Sequence, residues 1–135
     1  IGNGFSGLSG VPPFVLILTV YLSITFLTEL TSNTATTEMI LPILASIAVA
    51  TNVHPLLLMI PATLSASCAF MMPVATPPNA IVFGSDRVRI PEMARIGLVL
   101  NLIGALVLAV AFLVLGTAVF GIELGMMPEW AVLAN

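Results

Sequence analysis

The residues best suited to ion chemistry lie in one polar stretch, TELTSNTATTE, from Thr28 to Glu38. It contains hydroxyl, amide and carboxylate side chains, and uncharged apolar runs stand on both sides of it. Oxygen atoms of these groups are hard ligands, which suit cations such as Na⁺ rather than soft metals. The stretch therefore indicates ion binding, provided that the fold keeps it away from bulk water.

A second polar stretch, TPPN from Thr76 to Asn79, interrupts another apolar run. Pro73, Pro77 and Pro78 cannot all lie inside one continuous helix, because each removes a backbone donor and clashes with the preceding turn. Residues 55–85 are therefore predicted to form a discontinuous helix that is broken at 73–79.

The composition predicts an all-α integral membrane protein. Of the 135 residues, 59% are hydrophobic and only 7% are charged, whereas a soluble domain carries roughly 25% charged residues. The three basic residues, Arg87, Arg89 and Arg95, share one short segment and form no basic patch, which excludes nucleic-acid binding. A single cysteine, Cys68, excludes an internal disulfide, and its apolar surroundings predict a small core residue.

The first half of the chain is predicted to form a re-entrant hairpin. Residues 1–10 are rich in Gly and Ser and are predicted to be a loop. The uncharged runs 11–28 and 39–53 fall at or below the low end of the roughly 17–25 residues that span a bilayer. Residues 11–53 are therefore predicted to enter and leave on one side, with a tip at 31–37 at membrane depth.

The second half contains one full membrane crossing, predicted at residues 96–122, in which only Asn101 is strongly polar. The preceding loop, 86–95, carries all three arginines, so the positive-inside rule places it in the cytoplasm. The acidic tail, 123–135, would then lie outside, and the hairpin would enter from the outer side of the plasma (cell inner) membrane. The sequence starts at Ile1 without a signal-peptide pattern, which indicates a piece of a longer protein.

The two predicted breaks explain how such a protein could bind ions. Unpartnered backbone groups cost several kcal/mol each in hydrocarbon, so broken helices are kept only against protein or a water-filled cavity. Helix N-termini there attract anions, and freed carbonyls coordinate cations. Asn33 and Thr34 are predicted N-cap residues of the second hairpin arm. Glu29 and Glu38 fit either a cation path or a packing and capping role, and His54 is predicted to be structural.

Three segments resemble the divalent anion/sodium symporter family, which includes Na⁺-coupled dicarboxylate and citrate carriers. They are SNTAT at 32–36, LPILA at 41–45 and MMPVATPPNAIVFGS at 71–85. The resemblance extends from about Val11 to Ile122. It implies half of an inverted-repeat transporter, with the re-entrant hairpin, discontinuous helix and full transmembrane helix of the second repeat and without the first repeat.

The resemblance also implies a site and a mechanism. The family works as homodimers through an elevator motion of the transport domain. Asp86 departs from the family pattern, which leads us to expect Gly or another neutral residue there. The substrate-binding residues implied by the resemblance are Asn33, Thr34, Thr76 and Pro77. The Na⁺ ligands that it implies, largely through backbone carbonyls, are Thr28, Thr31, Asn33 and Ala75.

The leading hypothesis is sodium-coupled symport of small divalent anions, C4-dicarboxylates such as succinate above all, by a protein that is not an enzyme. Transport of sulfate, citrate or another oxyanion within the same superfamily remains an alternative, as does a non-transporting membrane assembly fragment. A membrane-embedded hydrolase is disfavoured because no Lys or His base lies at a suitable spacing from the hydroxyls at the tip, and an unactivated hydroxyl is a poor nucleophile.

Overall fold

The computed structural model describes residues 11–124 and 126–132, and every regular element among them is helical. The all-α class predicted from the sequence is therefore confirmed. The predicted loop at 1–10 and the end of the tail lie outside the described residues. The helices are α1 (Pro13–Thr28), α2 (Asn33–Ala50), α3 (Pro55–Ser65), α4 (Pro77–Gly84), α5 (Ile90–Ala111), α6 (Thr117–Val119) and α7 (Glu129–Val132), with a π-helical segment (Phe112–Gly116) between α5 and α6.

Within residues 11–124 and 126–132, two helical stretches are long and apolar enough to cross a membrane. One is α2, with 18 residues, and the other is the continuous stretch Ile90–Val119, with 30 residues. Helix α1 has only 16 residues, which agrees with the short first arm predicted from the sequence. Helix α2 is longer than the predicted apolar run because it begins at Asn33, inside the polar stretch.

Side chains at the helix starts explain where α2 and α4 begin. Ser32 is the N-cap of α2, and its hydroxyl accepts a hydrogen bond from the Ala35 N–H at 3.5 Å. The prediction that Asn33 and Thr34 cap this helix is wrong by one residue, because Asn33 is already helical while Ser32 is extended. Thr76 caps α4 in the same way and accepts from the Asn79 N–H at 3.4 Å.

The discontinuous helix is broken earlier than the prolines suggest. Helix α3 ends at Ser65 and α4 begins at Pro77, so the break covers residues 66–76 instead of 73–79. The Asn79 amide reaches back from α4 and donates to the carbonyls of Ala69 and Met72 at 2.9 and 3.0 Å. These carbonyls need no helical partners, since a side chain from the following helix satisfies them.

The last long helix also starts before its predicted position. It begins at Ile90 rather than at residue 96, so residues 85–89 connect it to α4, and only residues 86–89 of the predicted 86–95 loop lie outside the helices. The Glu92 carboxylate accepts from the Arg89 N–H at 3.2 Å and stabilises this start. Asp86 adopts a positive φ of 58°, a conformation that favours glycine, which explains why a Gly is expected at this position.

Packing brings α1 between the other long elements. It contacts both α3 and α5, and α2 contacts α3. One buried cluster contains Ile17, Leu57 and Phe112, and a second contains Ile24 and Ala62. Cys68, predicted to be a core residue, is only partly buried.

Gly97 lets the broken segment approach α5. A Cβ atom at this position would overlap the backbone of Phe70 and Met71. Small residues at helix interfaces allow such close approach in membrane proteins. Gly104, two turns further along α5, has no neighbouring atoms within 4 Å of an added Cβ.

Gly97→Ala should therefore destabilise the protein and Gly104→Ala should not. We expect Gly97→Ala to cost about 1–3 kcal/mol of unfolding free energy through overpacking, and Gly104→Ala to be neutral or stabilising by up to about 1 kcal/mol. The measurement is the melting temperature of the purified full-length protein in detergent micelles. Equal melting temperatures for the two variants would contradict the packing of the broken segment against α5.

Candidate functional site

A cavity of about 510 Å³ lies where the two polar breaks meet. Residues that are distant in the sequence contribute to it, because the connection between α1 and α2 approaches the end of the broken segment. The lining residues are Leu30, Thr31, Ser32, Asn33, Thr34, Val74, Ala75 and Pro77. The structure therefore joins the polar tip and the helix break in one place.

Most of the residues predicted to bind substrate or Na⁺ line this cavity, and two do not. Thr28 is fully buried, and its hydroxyl donates to the carbonyls of Ile24 and Thr25 of its own helix at 3.0 Å each. Thr76 serves as the N-cap of α4. The predicted site residues that the cavity brings together are Thr31, Asn33, Thr34, Ala75 and Pro77.

Two helix N-termini meet at this cavity, since α2 begins at Asn33 and α4 begins at Pro77. A helix N-terminus carries roughly half a positive charge, and the first N–H groups of α2 have no carbonyl before them in the helix. The first two residues of α4, Pro77 and Pro78, have no N–H. Helix α4 therefore contributes its dipole, whereas α2 contributes both a dipole and donors for an anion.

The hydroxyls of the tip are arranged by hydrogen bonds within it. Thr31 Oγ1 donates to the Leu27 carbonyl at 2.8 Å and lies 2.7 Å from Thr36 Oγ1. Because Thr31 has a single hydroxyl proton, Thr36 is the donor in that pair. Thr37 Oγ1 donates to the Asn33 carbonyl at 2.8 Å. These bonds fix the backbone of the tip and leave oxygen lone pairs for a cation.

The amide oxygen of Asn33 is the most informative atom of the site. It is buried, and it has no hydrogen-bond partner among the described residues. An unsatisfied buried acceptor costs about 1–3 kcal/mol, so such atoms in folded proteins need an explanation. A cation in the adjoining cavity would supply it, because an amide oxygen is a hard neutral ligand.

The residues that line the cavity carry no charged side chain, although Glu29 lies directly before them in the sequence. Glu29 as a whole residue is only 4% exposed, and its carboxylate accepts hydrogen bonds from the N–H groups of Met71 and Met72 and from the Asn101 amide. Glu38 is exposed. Glu29 was considered either for a cation path or for packing and capping. The structure favours the packing role, because hydrogen-bond donors surround its carboxylate oxygens.

Sequence reasoning assigned no role to Asn101 and assigned His54 a structural role. The sequence does contain a signal that could have identified Asn101, because it is the one strongly polar residue in the uncharged run 96–122.

His54 caps α3 by accepting from the Leu56 N–H at 3.3 Å and contacts Trp130 edge to face. Burial lowers the pKa of His54, which favours the neutral form of the imidazole. Within the described residues, no group of three His, Cys, Asp or Glu side chains could hold a metal.

Known proteins resemble this chain over most of its length. The family described as "Sodium:sulfate symporter transmembrane region" matches residues 2–122. The sodium-dependent dicarboxylate transporter SdcS of Staphylococcus saprophyticus is 50% identical over 123 residues, which are 91% of this chain and 24% of that protein. SdcS of Staphylococcus aureus strain MRSA252 is 48% identical over 124 residues, 92% of this chain and 24% of that protein. The chain spans about a quarter of the length of these relatives, which are named as transporters and not as enzymes.

The unsatisfied oxygen of Asn33 predicts opposite effects with and without a cation. Asn33→Leu should raise the melting temperature of the ion-free full-length protein, because it removes a buried acceptor that has no partner. We expect Na⁺ to stabilise the wild type by mass action and the Asn33→Leu variant to lose that stabilisation.

Ser46→Ala is the matched control in the same helix, because Ser46 is exposed and, among the described residues, its hydroxyl bonds only to the Pro42 carbonyl one turn earlier. It should keep the Na⁺-dependent stabilisation of the wild type. Retention of the full Na⁺ effect in Asn33→Leu would remove Asn33 from the cation site.

Proposed function

Because this chain belongs to the sodium:sulfate symporter transmembrane-region family, we propose that it is part of a carrier for sodium-coupled symport of small divalent anions. C4-dicarboxylates such as succinate are the proposed substrates. The names of the SdcS relatives support both the coupling ion and the substrate class. Na⁺ is a transported substrate in this proposal and not a resident cofactor.

The single observation that carries the proposal is the cavity between the N-termini of α2 and α4. It offers hydroxyl and amide oxygens and two positive helix ends, and its lining residues include no Lys or Arg. A dianion in such a site needs a co-bound cation. At a separation of 4 Å and an effective dielectric constant of about 20, each pair of opposite unit charges contributes about 4 kcal/mol. Ordered binding, with Na⁺ before the dianion, follows from this requirement.

The proposed ligands divide into two groups. Asn33 and Thr34 at the start of α2, with Thr76 and Pro77 at the start of α4, bind the substrate carboxylates. Na⁺ is coordinated by Thr28, Thr31, Asn33 and Ala75, largely through backbone carbonyls. The engagement of the Thr28 hydroxyl with its own helix supports a carbonyl role for that residue, and the unpartnered Asn33 oxygen supports its role as a ligand.

The proposed fold of the complete carrier extends beyond this chain. Helices α1 and α2 form the re-entrant hairpin, with the tip at membrane depth, and the chain is the second of two inverted repeats. The first repeat supplies the other half of the site, and the complete protein is a homodimer with an elevator mechanism. The cavity is open, and most of the residues that line it are exposed in this chain, which is consistent with half of such a site.

Sulfate is the second candidate substrate, and the description of the matching family favours it. A sulfate dianion would use the same helix ends and the same co-bound Na⁺. Citrate and other oxyanions fit the same chemistry. A substrate panel in proteoliposomes with an imposed Na⁺ gradient distinguishes these candidates, and we expect succinate to be taken up faster than sulfate.

Asn33→Ala should abolish Na⁺-driven succinate uptake by the full-length carrier in proteoliposomes. The physical reason is that one side chain serves both the cation and the carboxylate. Thr63→Ala is the control, because Thr63 is exposed and, within the part of the chain that the structure describes, its hydroxyl bonds only to the Met59 carbonyl of its own helix. Unchanged uptake by Asn33→Ala would contradict the assignment of Asn33 as a ligand of Na⁺ and of the substrate.

The proposed topology predicts labelling from opposite sides of the plasma membrane. In a Cys68→Ser background, Arg87→Cys should react with a membrane-impermeant maleimide only from the cytoplasmic side. Glu129→Cys should react only from the outside. Both positions are exposed, so access to the reagent depends on the side of the membrane. Reaction of both cysteines from one side would overturn the orientation.

A further inference from the structure

The buried carboxylate of Glu29 connects three parts of the molecule that meet beside the cavity. We propose that Glu29 is a positioning residue that holds the broken segment 66–76, and therefore the Val74–Pro77 wall, at a fixed distance from the Thr31–Thr34 tip. Its effect on transport rests on the proposed function, whereas its effect on the broken segment does not. Nothing in the predicted ligand set assigns a role to this side chain.

Four donor contacts define the geometry around the carboxylate. Oε1 accepts from the Asn101 amide at 2.7 Å and from the Met71 N–H at 2.9 Å. Oε2 accepts from the Met72 N–H at 2.9 Å and lies 3.1 Å from the Met71 nitrogen. Hydrogen bonds to an ionised group are roughly twice as strong as neutral ones. The carboxylate therefore replaces the helical partners that these two N–H groups lack.

Asn101 completes the arrangement from α5. Its side chain is fully buried, and its amide oxygen accepts from the Phe70 N–H at 3.2 Å while its nitrogen donates to Glu29. Three successive backbone donors of the broken segment are thus bound by two remote side chains. Gly97 lies one turn before Asn101 on α5 and allows the backbone of Phe70 to come this close.

The position of Glu29 in the chain explains why this contact matters for the site. Glu29 is the C-cap of α1 and directly precedes the lining residues that begin at Leu30. The segment that it binds, Met71–Met72, lies just before the lining residues Val74 and Ala75. A carboxylate buried in apolar surroundings is costly unless donors satisfy it. Without the hydrogen bonds from Met71 and Met72 to Glu29, nothing in this contact would hold the Val74–Pro77 wall against the tip, and we expect the two walls of the cavity to move apart.

An isosteric exchange tests this arrangement without changing the size of either side chain. Glu29→Gln replaces one acceptor oxygen with a donor nitrogen, so one of the surrounding donors loses its partner. Adding Asn101→Asp restores the side-chain pair, because one oxygen of the new carboxylate accepts from the amide introduced at position 29 and the other accepts from the Phe70 N–H. The double variant also keeps the total charge. Glu38→Gln is the control, because it neutralises an exposed carboxylate on α2.

Two measurements on the full-length carrier report on positioning. Hydrogen exchange followed by mass spectrometry reports the order of residues 66–76, and we expect Glu29→Gln to speed exchange there by about tenfold, the factor equivalent to 1.4 kcal/mol. In Na⁺-driven succinate uptake, we expect the KM values of Glu29→Gln for Na⁺ and for succinate to be about tenfold higher than those of the wild type, the same factor as for hydrogen exchange. Its maximal rate should change by less than about threefold, because the ligands themselves remain.

The double variant should return both measurements close to wild type, and Glu38→Gln should leave both unchanged. Wild-type exchange in Glu29→Gln, or no recovery in the double variant, would overturn the positioning role. If Glu29→Gln does not fold, recovery of folded carrier by the double variant supports the role and failure to recover opposes it. Absence of succinate uptake by the wild type would instead reject the proposed function, while the exchange measurement would still decide the role of Glu29.

Discussion

Every backbone N–H and C=O that leaves a helix in apolar surroundings must find another partner, and this constraint organises the whole molecule. The break between α3 and α4 leaves donors at Phe70, Met71 and Met72 without helical acceptors. Glu29 and Asn101 bind these donors, and Asn79 binds the freed carbonyls. Three polar side chains of this largely apolar chain therefore stabilise one non-helical segment beside the cavity.

The same constraint connects structure to the proposed transport. A helix that breaks exposes an N-terminus, and two such ends face one cavity here, at Asn33 and Pro77. An anion can be bound at these ends without a fixed Lys or Arg, and its charge can be balanced by mobile Na⁺. In the proposed mechanism, loss of the cation weakens the binding of the dianion, whereas a permanent ion pair with Lys or Arg would retain it. The neutral lining is thus suited to a carrier, which must bind and release the same ligand in every cycle.

Much of this arrangement could be predicted from the sequence. The uncharged runs predicted helices, and the prolines predicted a break before α4. All three residues of the SNT motif line the cavity, whereas Pro77 is the residue of the TPPN motif that does. Boundaries were less accurate. Ser32 rather than Asn33 caps α2, the break begins at Ala66 instead of Pro73, and the last long helix begins at Ile90 instead of Ile96. Helices α2 and α3 each continue through a proline, Pro42 and Pro61, so a proline alone does not decide where a helix stops. The remote side chains that stabilise the break are not visible in the local sequence pattern.

The sequence by itself determined the helical class, the strongly apolar composition, the two polar breaks and the residue types that could bind Na⁺ and a dianion. These follow from local chemistry, because hydropathy, proline and capping preferences act over one or two turns. Only the tertiary structure decided that Glu29 serves the broken segment, that Asn101 is its partner 72 positions away in the chain, and that Asn33 keeps an unpartnered buried oxygen. Those assignments depend on which donors and acceptors packing brings within about 3 Å of each other, and distance in space is not readable from spacing in the chain.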